Sequence, residues 1–206
     1  MAGLPGGTGV ILAIDTSATV AVATVHHGQV LAELSDFNPR GHAELLSPMI
    51  EQVLAGARPD AVVVGTGPAP FTGLRVGLVT ARTLATVWGV PLYGMCSLDA
   101  VGAEHGGDCT VVADARRKEV YWATYAGGRR VEGPAVSSPG DVVVHGQAVG
   151  RGALLYPEAF PGAAEADPRP SWLARELEAR LAAGQTDFPT DPLYLRRPDV
   201  HGVPGG

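Results

Sequence analysis

Gly65-Thr-Gly-Pro-Ala-Pro-Phe-Thr-Gly-Leu-Arg-Val-Gly77 follows an apolar run, Asp60-Ala-Val-Val-Val64, and leads into Leu74–Trp88, which has no proline and a helical apolar period. The run reads as a buried strand and the later segment as a helix, so the stretch joins a strand to a helix. In α/β folds a Gly/Pro loop at such a join is where an anion binds or a partner is met. Gly65, Gly67 and Gly73 give backbone freedom, while Pro68 and Pro70 stiffen the loop and hold their predecessors extended. Phe71 needs burial, so the loop is expected to pack against something. No Lys follows the glycines as in a phosphate loop, and Pro70 stands where a dinucleotide fingerprint has its third glycine. An ordinary tight connection fits the spacing as well as a site does.

Upstream, Val10–Ile14, Thr19–Val25 and Val30–Leu34 read as three strands of an antiparallel meander, with His26-His27-Gly28-Gln29 as a turn. After Asn38-Pro39-Arg40-Gly41 a helix runs from about His42 to Ala55, with Pro48 inside it as a kink or as the mark of its first turn. Downstream of strand 61–64 and helix 74–88 come strand 90–94 and a short helix near Leu98–Glu104. Strand–helix alternation implies parallel pairing with right-handed crossovers. The order predicts an α/β protein of the ribonuclease H-like, actin-like ATPase (ASKHA) type. A loose tail over 1–9 precedes one half-domain over 10–107.

A second half, 108–206, opens on Thr110-Val-Val-Ala-Asp114, a turn at Ala115-Arg116-Arg117-Lys118, and a strand over Glu119–Tyr125. Asp15 and Asp114 therefore each end the first strand of a half, a weak internal repeat. This half is reduced: residues 126–170 are rich in Gly and Pro, with short strands expected near Val142–Val144 and Val149. A helix over Ser171–Ala183, capped by Ser171, and a C-terminal tail follow.

The chain of 206 residues has a formal net charge of −6, which argues against autonomous nucleic-acid binding through a broad basic face. The pairs Arg116-Arg117, Arg129-Arg130 and Arg196-Arg197 could form a small anion site, although solvated turns explain each pair alone. Cys96 and Cys109 lack metal or disulfide spacing and read as core thiols. No stretch has the length of a membrane span and the N-terminus has no leader pattern, so a cytoplasmic protein is expected.

Two carboxylates facing across a cleft could hold Mg²⁺ and a nucleotide, and Asp15 and Asp114 are the candidates. The loops after them, Thr16-Ser17-Ala18 and Ala115-Arg116-Arg117, lack the glycines that expose backbone donors to phosphate. Both aspartates can instead cap turns through their own side chains. A nucleotide or anion contact would draw on Asp15, Thr16, Ser17, Thr72, Arg75 and Arg116. His42 opens a helix, but Leu46 stands four residues on, so no metal pair forms there. There is no Gly-x-Ser-x-Gly elbow and no cysteine–histidine pairing. Helices 42–55 and 74–88 carry apolar residues around much of their circumference, which fits either a private core or a two-helix interface.

Five segments together resemble the TsaB (YeaZ) family: Ile11-Leu-Ala-Ile-Asp-Thr-Ser17, His42-Ala-Glu-Leu-Leu46 with Pro48, Gly67-Pro-Ala-Pro-Phe-Thr-Gly-Leu-Arg-Val-Gly77, Asp114-Ala-Arg-Arg-Lys-Glu-Val-Tyr121 and Pro192-Leu-Tyr-Leu-Arg196. The resemblance spans nearly the whole chain in order; Ala69-Pro70 stands where the family usually shows Gly-Ser. It implies a non-catalytic subunit of the machinery that forms N6-threonylcarbamoyladenosine beside the tRNA anticodon. The implied partners are the paralogue TsaD, whose metal-binding histidine pair corresponds here to His42 and Leu46, and the ATPase TsaE. It implies no cofactor of its own, with ATP or ADP at the interface with partners, contact with tRNA only through the complex, and a homodimer when the partner is absent. The partner interface is placed on Leu45, Leu46, Met49, Ile50, Val53, Val76, Val79 and Thr83. A stand-alone ATPase or kinase of the actin-like fold is the alternative, disfavoured by the missing phosphate glycines.

Overall fold

The computed structural model describes residues 9–37 and 42–196. Nearly all of the expected N-terminal tail, the loop Asn38–Gly41, Arg197 and His201 lie outside the described residues. Strands β1 (Val10–Asp15), β2 (Val20–His26) and β3 (Gln29–Asp36) form the expected meander, and β4 (Ala61–Gly65) and β5 (Leu92–Met95) add to it in parallel, in the order β3-β2-β1-β4-β5. β4 throughout, and β1 up to Asp15, are apolar because both sheet faces are covered. Leu12, Ile14, Val62 and Val64 face α1 (His42–Leu54) and α2 (Phe71–Trp88), meeting Leu46, Ile50, Val53, Leu74 and Leu78. Their alternates Ile11, Ala13, Ala61 and Val63 face Leu173, Ala174 and Leu177 of α5 (Pro170–Ala182), as the period of two requires. So α5, late in the sequence, belongs to the packing of the first sheet.

α1 continues through Pro48. α2 begins at Phe71, not at Leu74, because Pro70 at its N-cap holds an extended ψ of 139° and the helix tolerates Gly73 and Gly77. It ends at Gly89, whose left-handed φ of 62° lets its N–H reach Ala85 and Thr86 carbonyls.

In the second half β6 (Cys109–Asp114), β7 (Val120–Ala126), β8 (Arg129–Ser137) and β9 (Gln147–Val149) are ordered β8-β7-β6-β9, with β9 parallel to β6. This repeats β3-β2-β1-β4, strand for strand. The expected strand at Val142–Val144 is absent: Val142 follows a 3₁₀ turn and Val143 and Val144 are exposed. β8 was hidden by its mostly polar, half-exposed pattern and by Gly133-Pro134, which an edge strand tolerates. After β9 comes only the four-residue α4 (Arg151–Leu154), where the first half has an 18-residue helix.

Helix α3 (Ser97–His105) joins the halves. Its Asp99, 1% exposed, accepts from Tyr125 Oη (2.8 Å) on β7 and Arg180 Nη2 (2.8 Å) on α5, with Arg130 Nε of β8 at 3.5 Å. A buried carboxylate is tolerable with such partners. The segment after α5 returns as a strap: Phe188 O accepts from Gly94 N (3.2 Å), Leu193 N donates to Thr66 O (2.8 Å), and Arg196 Nη1 donates to Ala115 O (3.0 Å).

Candidate functional site

Asp15 and Asp114 end β1 and β6 in matching turns. Asp15 Oδ1 accepts from Ser17 N at 2.8 Å and Asp114 Oδ1 from Arg116 N at 2.8 Å, each two residues on. These are the side-chain-capped turns that short acidic residues make. Their surroundings differ. Asp15 is 1% exposed, and its Oδ2 lies under Gly65 without a well-formed hydrogen bond; a Cβ on Gly65 would collide with it and with Ser97 Oγ. Burial raises Asp15 above the ordinary carboxylate range, and the Ser17 and Ser97 hydroxyls pull it back only in part. Asp114 is more open and pairs with Arg116 Nη1 at 3.1 Å.

Arg116, Arg117 and Lys118 all have left-handed backbones, with φ of 64°, 54° and 62°. A non-glycine residue there costs about 1–2 kcal/mol.

The Gly/Pro loop is bound to the start of α3. Gly67 N donates to Ser97 Oγ (3.2 Å), Ser97 N donates to Gly67 O (2.8 Å), and Thr66 N and Oγ1 donate to Met95 O. Thr16, 3% exposed, spends its hydroxyl on α2, donating to Gly73 O (2.9 Å) and accepting from Gly77 N (3.2 Å). Phe71 is not buried as expected. It is 43% exposed, stacked on Tyr194 of the strap (5.1 Å), with the Arg75 guanidinium 4.0 Å above it. Arg75 also donates to Tyr194 Oη at 3.2 Å.

A cleft separates the sheets in two parts. The larger cavity, about 630 Å³, is bordered by Glu33, Glu104, Arg151, Asp167 and Arg169, none of which a motif had marked. Arg169 bridges Glu33 of β3 and Glu104 of α3 (3.0 Å), and Ser171 N donates to Glu33 Oε1 (3.0 Å). Burial would raise Glu33, but Ser171 and Arg169 outweigh it and hold it below the ordinary range. Arg151 pairs with Asp167 (2.6 Å) and Glu165 (3.0 Å) and covers Phe37. Both arginines of the larger cavity are thus engaged by carboxylates. A smaller cavity of about 280 Å³ is lined by Ser17, Pro68, Pro70, Leu98, Arg116 and Leu155.

The anion candidates do not converge. Ser17 and Arg116 share the smaller cavity, Asp15 and Thr16 are buried, and Thr72 and Arg75 lie on the exposed side of α2. Among the described residues no group of three or more His, Cys, Asp or Glu is placed to hold a metal ion. Burial pushes the thiols of Cys96 and Cys109 up to about 12 and about 11.

The interface candidates divide by helix face. Leu46, Ile50 and Val53 are core residues under the first sheet and present nothing to a partner; Met49 and Val76 are partly buried against the same core. Leu45 is half-buried, Thr83 is exposed, and Val79 is 62% exposed, as is Val87 at 73%. The outer ridge of α2, with Arg75, Val79, Arg82, Thr83 and Thr86, is exposed, its Arg82 donating to Thr190 O (2.9 Å) and pairing with Asp191 (3.5 Å) of the strap. No helix among the described residues is long and apolar enough to cross a membrane.

Comparison with known proteins places these features in company. The family model described as TsaD, tRNA N6-adenosine threonylcarbamoyltransferase, matches residues 29–161. An uncharacterized protein of Mycobacterium tuberculosis is 43% identical over 198 residues, covering 92% of this chain and 93% of its own length. The tRNA threonylcarbamoyladenosine biosynthesis protein TsaB of Escherichia coli is 37% identical over 126 residues, 56% of this chain and 54% of that protein. Among solved structures, YeaZ from Pseudomonas aeruginosa superposes with a TM-score of 0.74 at 28% identity, covering 85% of this chain and 94% of that one.

Proposed function

The chain belongs to the TsaD/YeaZ family, and from that membership we propose that it is a non-catalytic, TsaB-like subunit in forming the threonylcarbamoyl group on N6 of the tRNA adenosine beside the anticodon. It acts by binding and stabilising a catalytic TsaD paralogue, together with TsaE, in the cytoplasm. In this reading it holds no cofactor of its own, and ATP or ADP sits at its interface with the partners. The sealed Asp15 and the carboxylate-engaged cleft arginines support a role other than nucleotide turnover.

The observation that carries the proposal is the outer ridge of α2, where Val79 stays open between Arg75, which is held on Phe71 and Tyr194, and Arg82, which meets Thr190 and Asp191 of the strap. α1 carries Glu44 and Glu51 and no arginine or lysine, whereas α2 carries two arginines and no acid. An acidic helix beside a basic one is complementary to the same pair turned through a two-fold axis, in a paralogue or in a second copy.

Val79→Asp tests this. Size-exclusion chromatography with light scattering is expected to show a one-to-one heterodimer with the TsaD of the same organism for the wild type and none for the variant. Thermal unfolding of the variant alone is expected to stay within about 0.5 kcal/mol of the wild type, as for an exposed site. A variant that still pairs refutes the α2 face; a wild type that never pairs, with TsaE and ATP present, refutes the function.

A further inference from the structure

The outer face of the second sheet holds a buried hydroxyl with nothing to bond. Thr110 of β6 and Thr124 of β7 are cross-strand neighbours, so their side chains leave the sheet on one face. Both are fully buried. Thr110 spends its hydroxyl on the loop before β9, donating to His145 O (3.1 Å) and accepting from His145 N (2.8 Å). Thr124 Oγ1 has no partner among the described residues. A valine would fill the same space without burying an unsatisfied group, so the idle hydroxyl calls for a use.

The cavity that Thr124 borders, about 390 Å³, gives that use a sign. Asp108, Glu132 and His145 stand around it, with no lysine or arginine. In the larger cleft each acid is met by Arg151 or Arg169. Here Glu132 and the His145 ring meet nothing among the described residues, and the Asp108 carboxylate accepts only from Gly127 N (3.1 Å). The ladder brings Glu132 to Thr124: β8 gains a residue on either side of that pair, and Val131 bulges out, 66% exposed. Bulges of this kind re-aim side chains at sheet edges. Opposite, a Cβ on Gly146 would sit 2.0 Å from Asp108 O, so the His145 loop is pressed onto the rim.

The polar side chains around the cavity can all accept a hydrogen bond, and Asp108 and Glu132 repel anions. The acids and the histidine are not placed to hold a metal ion. A guanidinium is a flat fork that wants its acceptors in one plane, whereas these come from separate segments of chain. The rotating donors of an ammonium suit them better. We propose that this cavity binds a protonated primary amine on a short aliphatic chain, the ammonium shared by Asp108, Glu132 and Thr124 Oγ1 and the methylenes lying along Val131. No residue of α2 or of the strap borders the cavity, so the inference stands apart from the function proposed above.

The test follows the backbone amides of the full chain by NMR at constant ionic strength. The probes are cadaverine, Nα-acetyl-lysine amide, and tetramethylammonium, which has the charge but no N–H. Saturable shifts at Thr124, Glu132 and Gly146 are expected with an amine and none with tetramethylammonium. Tighter binding of cadaverine assigns a free amine as the ligand, and tighter binding of the lysine derivative assigns a protein side chain. Glu132→Gln is expected to weaken binding about tenfold and Thr124→Val about threefold, as for a charge-assisted and a neutral hydrogen bond. Because Thr124→Val removes an unsatisfied group, its melting temperature is expected to hold or rise. No saturation by either amine overturns the inference, as do equal shifts with tetramethylammonium or full affinity in Glu132→Gln. A Thr124→Val melting temperature lower by more than about 2 °C also overturns it, since the hydroxyl would then have its partner inside the fold.

Discussion

Asp15 and Asp114 stand at one place in two copies of a single strand plan, each ending the first strand of a meander and accepting a hydrogen bond two residues on. One is sealed under Gly65 and Ser97; the other opens onto a charged tip. The difference follows from what each half built next. After β4 the first half continues into α2, which closes over Thr16 and presses the strand end into a core. After β9 the second half has only the short α4, whose Gly152 packs on Ala113 but leaves Asp114 partly open beside Arg116. The same turn chemistry thus gives a structural carboxylate in one half, where Gly65 and Ser97 close over it, and a partly open one in the other, where Arg116 meets it instead.

Three experiments break or sharpen this comparison. The largest effect is expected at Asp99, which ties the halves through α3, β7 and α5. Asp99→Ala removes the acceptor shared by Tyr125, Arg130 and Arg180, the last keeping Glu176, and is expected to cost about 3 kcal/mol in urea unfolding. A loss under about 1 kcal/mol would mean that the halves hold together without this junction.

A smaller effect is expected at Glu33. Its carboxyl is held low in the folded state, so its contribution is present above the unfolded pKa and disappears as pH falls through the folded one. Glu33→Gln is expected to cost about 1–2 kcal/mol at neutral pH, limited by the half-exposed Arg169, and close to nothing in acid. Equal losses at both pH values would assign the effect to packing.

Asp15 is expected to show the smallest effect and the opposite sign. Its folded pKa is raised, so its contribution is complete below the unfolded pKa and is lost as pH rises through the folded one. Asp15→Asn keeps the acceptor for Ser17 and removes the buried charge. Its stability relative to wild type should therefore improve as pH rises toward neutrality, by urea unfolding at stepped pH. A variant whose deficit grows as pH rises would show that Asp15 works as an anion, and an equal deficit at every pH would assign the effect to packing.

Much of the first half was legible because its cues are local. The β-branched run of Val20–His26, the continuous apolar run of β4 and the stripe of α1 each follow from burial, on both faces for the strands and on one for the helix. The Gly/Pro loop was visible as a connection, but its last residues belong to α2, since proline at an N-cap and glycine at the third helical position mask the start. β8 escaped because an edge strand with polar residues on both faces has no period to read. The larger cleft escaped for a different reason: Glu33 and Arg169 meet across 136 residues of chain, and no spacing rule reaches that far. The interface residues were half legible. Apolar periodicity found both helices, but only packing tells Val53, which is inside, from Val79, which is not.

The placement of α5 also has a consequence in time. One face of the first sheet is closed by Leu173, Ala174 and Leu177, which a ribosome adds long after Met95 completes the last strand. At about 10 residues per second that face waits on the order of ten seconds, bare and apolar, while the second half is being made. A nascent first half is therefore a natural client for a chaperone, and a fragment ending before Pro170 should aggregate where the whole chain stays in solution.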